Sequence, residues 1–206
     1  MSQLRVLLAL LWGTCCSVCA GSEPATWTEH DAPARPWRYV VLHHSASEAG
    51  SVESIDADHR TRKDASGIPW RGIGYHFVIG NGRGMSDGQV EATFRWTEQT
   101  SGAHAGEARY NDEGIGICLI GNFQTDLPTE KQLESLSQLI TQLQGPWQIP
   151  DDRVMTHGQI KATACPGKQF IPALKRKEIR YAGATSPVGD QDKTLPQPPE
   201  PSRKIP

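Results

Sequence analysis

Two adjacent histidines, His43 and His44, end an apolar run, and a third, His157, precedes Cys165 by eight residues. Imidazole and thiolate are good zinc ligands, and three protein donors with an open fourth position define a catalytic rather than a structural site. The spacing of His157 and Cys165 is not that of a zinc finger, so both reach one ion only if the loop between them doubles back. Successive side chains of a strand point to opposite faces, so only one of His43 and His44 can face a given site. The plainer use of this pair is one ring hydrogen-bonded in a core and the other solvated. A nucleophilic Cys165 with His157 as its base is a rival use of the same residues, but it leaves His43 without a task.

The ends of the chain decide which cysteines compete. An Arg5-bearing start, the apolar run 6–12 and the small residues before Ala20 read as a secretory leader cut after Ala20. The run is too short to span a bilayer, which needs about 20 residues. A lipoprotein signal is the alternative, and the residues before Cys15 match it poorly. Export, to a periplasm or to the exterior, is therefore expected. Cys15, Cys16 and Cys19 leave with the leader, so only Cys118 and Cys165 remain, and in an oxidising compartment they could pair. Cys118 lies within the apolar run 114–121, where a cysteine is usually a small inert hydrophobe.

Residues 186–206 carry six prolines among charges and read as a tail that cannot bury enough surface to order itself, with the boundary of the tail set at 181. An N-terminal extension over 21–36 and one catalytic domain over 37–180 are expected between the ends. The net charge of −2 and the lack of a basic stripe disfavour nucleic acid. Neither a stable membrane span nor an oligomer is expected.

The elements that must position these residues follow from periodicity. Segments 38–43, 74–80 and 114–121 are β-branched, aromatic and bounded by turn residues, as strands buried on both faces are. Long connections between them favour a mixed α/β domain, a central sheet flanked by helices. In 130–144, Leu133, Leu136, Leu139, Ile140 and Leu143 recur at helical spacing. Thr129 with Gln132 predicts a capping box, and Gly145-Pro146 predicts the stop. Shorter helices are expected over 54–62 and 170–177, with Pro172 in the first turn of the latter.

Four blocks in this order resemble the zinc-dependent N-acetylmuramoyl-L-alanine amidases of type 2, the family shared by phage amidases and animal peptidoglycan recognition proteins. They are residues 41–46, 70–77, 102–123 and 157–167, and together the resemblance covers about 39–167. Each is weak alone; their order is specific. The resemblance implies hydrolysis of the bond between N-acetylmuramic acid and L-alanine of peptidoglycan, with Zn2+ as cofactor and peptidoglycan or a muropeptide as substrate. It implies His43 rather than His44, His157 and Cys165 as metal ligands, with Tyr75 and Thr163 assisting the reaction. Thr163 stands where the phage enzymes carry lysine, and a hydroxyl stabilises an oxyanion less well than a cation does. It also implies that Trp70, His104, Tyr110 and Asn111 lie along the substrate, although Trp70 could equally cap the core and Asn111 could serve an Asx-turn. Family members that bind cell wall without cutting it typically lack the ligand cysteine, so Cys165 favours an enzyme over the alternative, a non-catalytic binder. The turn between Ile79 and Val90 is longer than in the phage proteins and is expected to reshape one wall of the groove.

Overall fold

The computed structural model describes residues 26–64 and 66–183. The expected leader and all of the expected tail beyond residue 183 lie outside them. In chain order the elements are β1 (Tyr39–His44), α1 (Val52–Arg60), β2 (Phe77–Ile79), β3 (Val90–Ala92), α2 (Phe94–Thr97), α3 (Ala108–Asp112), β4 (Gly114–Leu119), α4 (Glu130–Trp147), β5 (Val154–Thr156), α5 (His157–Ile160) and α6 (Phe170–Arg176). The sheet order is β3-β2-β4-β1-β5. β1 runs parallel to β4 and β5, β2 runs parallel to β4, and only β3 is antiparallel.

Alternation along β4 explains where a site can form. Ile115, Ile117 and Leu119 join Val40, Leu42, Phe77 and Ile79 in the main core. On the opposite face β4 offers only Gly114, Gly116 and Cys118, and these pair with Tyr39, Val41 and His43 of β1. One face of the sheet is thus filled by large apolar side chains, and the other leaves room for rings from loops. α4 and α6 cover the apolar face through Leu133, Leu136, Leu139, Phe170 and Leu174. Val52 and Ile55 of α1 pack against a smaller cluster of Ile73, Val78, Met85 and Ile120.

α4 has the expected capping box between Thr129 and Gln132, but it runs past Pro146 to Trp147 and ends at left-handed Gln148. Its last turn is held from outside: Trp147 Nε1 donates to the Arg35 carbonyl at 2.9 Å, and the ring stands edge-on to Trp96 at 5.4 Å. Gln132 does more than cap. Fully buried, it donates through Nε2 to the carbonyls of Ile79 and Ile120 and so fastens α4 to the ends of β2 and β4. Gln132→Leu keeps the volume but strands the Ile120 carbonyl, while that of Ile79 keeps the Ile120 N–H, and urea unfolding should show a loss of about 1–3 kcal/mol.

Two expectations about boundaries and loops need correction. The long turn after Ile79 does not border the groove. It docks on α4 instead, with the Asp87 and Thr129 side chains 2.5 Å apart and Ser135 Oγ donating to the Gly88 carbonyl. Tyr181 falls within the expected tail, yet Ile179 and Tyr181 belong to the core. The N-terminal extension also docks, through Trp27 against the core and Trp27 N donating to Gln142. Among the described residues, no helix is long and apolar enough to cross a membrane.

Candidate metal centre

His43, one residue before the end of β1, lies on the small-residue face, while His44 turns to the other face, where its Nδ1 accepts from the Phe123 N–H at 3.2 Å. His157 opens α5 directly after β5, the strand next to β1. Cys165 returns from the loop beyond α5, and its Sγ accepts from the His44 N–H at 3.5 Å. One ligand atom from each of His43, His157 and Cys165 lies within 4.8 Å of the others. Cys165 Sγ is 3.7 Å from His43 Nδ1. Zinc bonds of about 2.0–2.3 Å place tetrahedral ligand atoms roughly 3.5 Å apart, so one ion fits with slight closure of the side chains.

The electrostatics suit a cation. Burial holds His43 well below the usual imidazole range and lowers His157, so both are neutral with a lone pair to give near pH 7. Burial pushes the Cys165 thiol up to about 11, partly offset by the His44 N–H. Such a thiol is not an activated nucleophile, which disfavours the thiol mechanism. A divalent cation would supply the charge that makes it a thiolate. The donor set of two imidazoles and one thiol therefore fits zinc.

Around the centre runs an open groove of about 790 Å³. Tyr75, Thr163, Trp70, His104 and Asn111 all line it. Tyr110 does not; it packs edge-on to Tyr39 at 4.9 Å. The Tyr75 ring stands 5.1 Å from that of His43, and burial, then the neighbouring Cys118 and Cys165 thiols, raise its phenol well above 10. It stays a protonated donor. Thr163 Oγ1 accepts from the Cys165 N–H at 3.2 Å, which leaves its own proton free to point elsewhere. His104 is buried, with its ring nitrogens 3.0 Å from His43 Nε2 and 3.2 Å from the Gly114 carbonyl.

His59 and Arg62 are among the groove residues that were not singled out from the sequence. His59 at the end of α1 lines the groove and accepts from the Gly74 N–H through Nδ1 at 2.9 Å. Arg62 places its guanidinium 5.7 Å from the Trp70 ring centre. Nothing in the local pattern marks them, because their place depends on how the loop after α1 folds back. Arg95 is another missed residue: buried, it donates to the Ile73 and Ser101 carbonyls and ties the loops that carry Tyr75 and His104.

Residues 33–168 match the family model described as N-acetylmuramoyl-L-alanine amidase. A peptidoglycan-recognition protein of Drosophila simulans is 35% identical over 150 residues, 68% of this chain and 74% of that protein. Among solved structures, the N-acetylmuramoyl-L-alanine amidase LysC from Clostridium intestinale URNW is similar with a TM-score of 0.56 at 26% identity, covering 77% of this chain and 96% of that one. Peptidoglycan recognition protein-LE, solved in complex with tracheal cytotoxin, a monomeric diaminopimelic acid-type peptidoglycan, is similar with a TM-score of 0.57 at 26% identity, covering 77% and 91%.

Proposed function

The chain belongs to the N-acetylmuramoyl-L-alanine amidase family, and on that footing we propose that it hydrolyses the amide bond between N-acetylmuramic acid and L-alanine in peptidoglycan, using one zinc ion held by His43, His157 and Cys165. The observation that carries this reading is the convergence of those three donors within 4.8 Å, two of them, His157 and Cys165, lining the groove and His43 buried beside them. The muropeptide in the related recognition protein supports a substrate of this class. A peptidoglycan substrate also suits the exported setting that the leader would provide.

Zinc, when bound, acidifies water toward neutral pH and polarises the carbonyl under attack. The chain supplies the rest. Tyr75, kept protonated by burial, donates its phenolic hydrogen to the oxygen on which charge develops. Thr163 stabilises the loop of Cys165 through the hydrogen bond it accepts, and its free hydroxyl proton offers a weaker second donor. With zinc bound, a Cys165 thiolate and two neutral imidazoles would leave the centre a net charge of about +1, which would suit the negative charge developing on the carbonyl oxygen. Trp70 gives the substrate an apolar wall on the far side of the groove.

Tyr75→Phe should lower kcat by about 10²- to 10³-fold, the usual loss for one oxyanion donor, while zinc content stays at that of the parent. The proposal as a whole is tested by incubating the mature protein with purified cell wall, with and without a chelator. Release of stem peptides that stops on chelation and returns with zinc is expected. Tight binding of cell wall with zinc present and no release near neutral pH would leave the protein a recognition module.

A further inference from the structure

The loop after Gly102 touches both histidines of the proposed zinc site, and its hydrogen bonds determine which nitrogen of each ring is free. His104 Nε2 lies 3.2 Å from the Gly114 carbonyl, which can only accept, so Nε2 carries the proton. The Nδ1 of a neutral ring is then bare, and it lies 3.0 Å from His43 Nε2. His43 must donate there, which leaves its own Nδ1 bare on the side of Cys165 Sγ. One residue along, the Ala105 carbonyl lies 3.1 Å from His157 Nε2. That ring too is protonated at Nε2 and bare at Nδ1.

The loop is itself held firmly. Asn111 Oδ1 accepts from the His104 and Ala105 N–H groups, each at 2.9 Å, and the Asn111 carbonyl accepts from Gly102 at 2.8 Å. Ala103 donates to the Gly74 carbonyl at 3.0 Å, next to Tyr75. The His104 ring lies in a slot made by two glycines: a Cβ at Gly102 would sit 2.3 Å from its Cδ2, and one at Gly116 would sit 2.6 Å from it. A slot this tight permits one placement of the ring.

We infer that residues 102–105, ordered by Asn111, lock both zinc-binding imidazoles as Nδ1 donors, so that His104 and Asn111 are positioning residues for the metal. The inference rests on the zinc reading above. Partners of this kind fix ring orientation and raise ligand basicity, and their loss typically weakens metal binding 10- to 100-fold.

The test is zinc affinity, measured on the mature chain by competition with a chromophoric chelator, for the parent, His104→Asn and His104→Leu. Asn and Leu are close in shape, but only Asn keeps an acceptor where Nδ1 stood. His104→Leu should bind zinc about 10- to 100-fold more weakly, and His104→Asn should recover most of the loss. Gly116→Ala keeps His104 but displaces its ring, and it should weaken zinc binding too; it carries the test if the Leu variant does not fold, which melting of the metal-free proteins reveals. Equal affinities in the Leu variant and the parent, equal losses in Leu and Asn, or an unaffected folded Gly116→Ala would each overturn the inference. A parent that binds no zinc would overturn the zinc reading itself, a separate result.

Discussion

Cys165→Ser is expected to abolish hydrolysis while leaving a folded protein that still holds cell wall. The hydroxyl of serine does not ionise under conditions in which a cation can draw the proton from a thiol, so the donor set falls to two imidazoles. Losing a direct ligand should weaken zinc binding by more than the roughly 100-fold typical of an outer partner. The fold should survive, because Cys165 is only partly buried and the backbone contact of its Sγ is the long one to the His44 N–H, at 3.5 Å. Metal analysis, muropeptide turnover and calorimetric binding of the same ligand check the three parts separately. A serine variant retaining a tenth of the parent's turnover would remove Cys165 from the centre.

The second large effect concerns acid. His59 and His76 are buried and neutral: burial lowers His59 to about 4 and His76 well below 6.5. His59 accepts from Gly74, and His76 accepts from Gly116 through Nδ1 at 2.9 Å, so protonation would break both bonds. Because the folded pKa values are depressed, the unfolded chain binds more protons below pH 6.5. Their contribution to stability is therefore complete above that pH and is lost as pH falls toward about 4. At pH 5 the His59 ring costs about 2 kcal/mol relative to pH 7.5, and His76 adds a loss of the same sign, against a typical stability of about 5–15 kcal/mol. Urea midpoints of the metal-free protein at pH 7.5, 6 and 5 should fall steeply. A flat profile would mean that these rings are not held neutral.

Much of the fold could be read from single segments. The runs at β1 and β4 are long enough for composition to mark them, and the spacing of Leu133, Leu136 and Leu139 gave α4 its register. β3 and β5 span three residues each, too few for any period to show, and they exist because β2 and β1 present paired edges. The centre was legible where residue chemistry is distinctive, at His43, His157 and Cys165. It was least legible at His104, whose place in the groove was expected but whose bond to His43 was not. Its hydrogen bond to His43 spans 61 residues, and the slot that receives its ring is made by glycines, which carry no side-chain signal. Asn111 is similar: in place of the Asx-turn considered from the sequence, its Oδ1 accepts from residues 104 and 105, seven and six positions back.

The central claim is metal-assisted hydrolysis at one bond, and the most direct measurement is mass spectrometry of a defined muropeptide digested in 18O water with one equivalent of zinc. The account predicts a sugar product whose lactyl carboxylate gains one 18O atom, a peptide product with a free L-alanine amine and no label, and loss of both when a chelator is added. An intact muropeptide that co-purifies with the zinc-loaded protein would contradict it, and so would cleavage that survives chelation and stops on thiol alkylation.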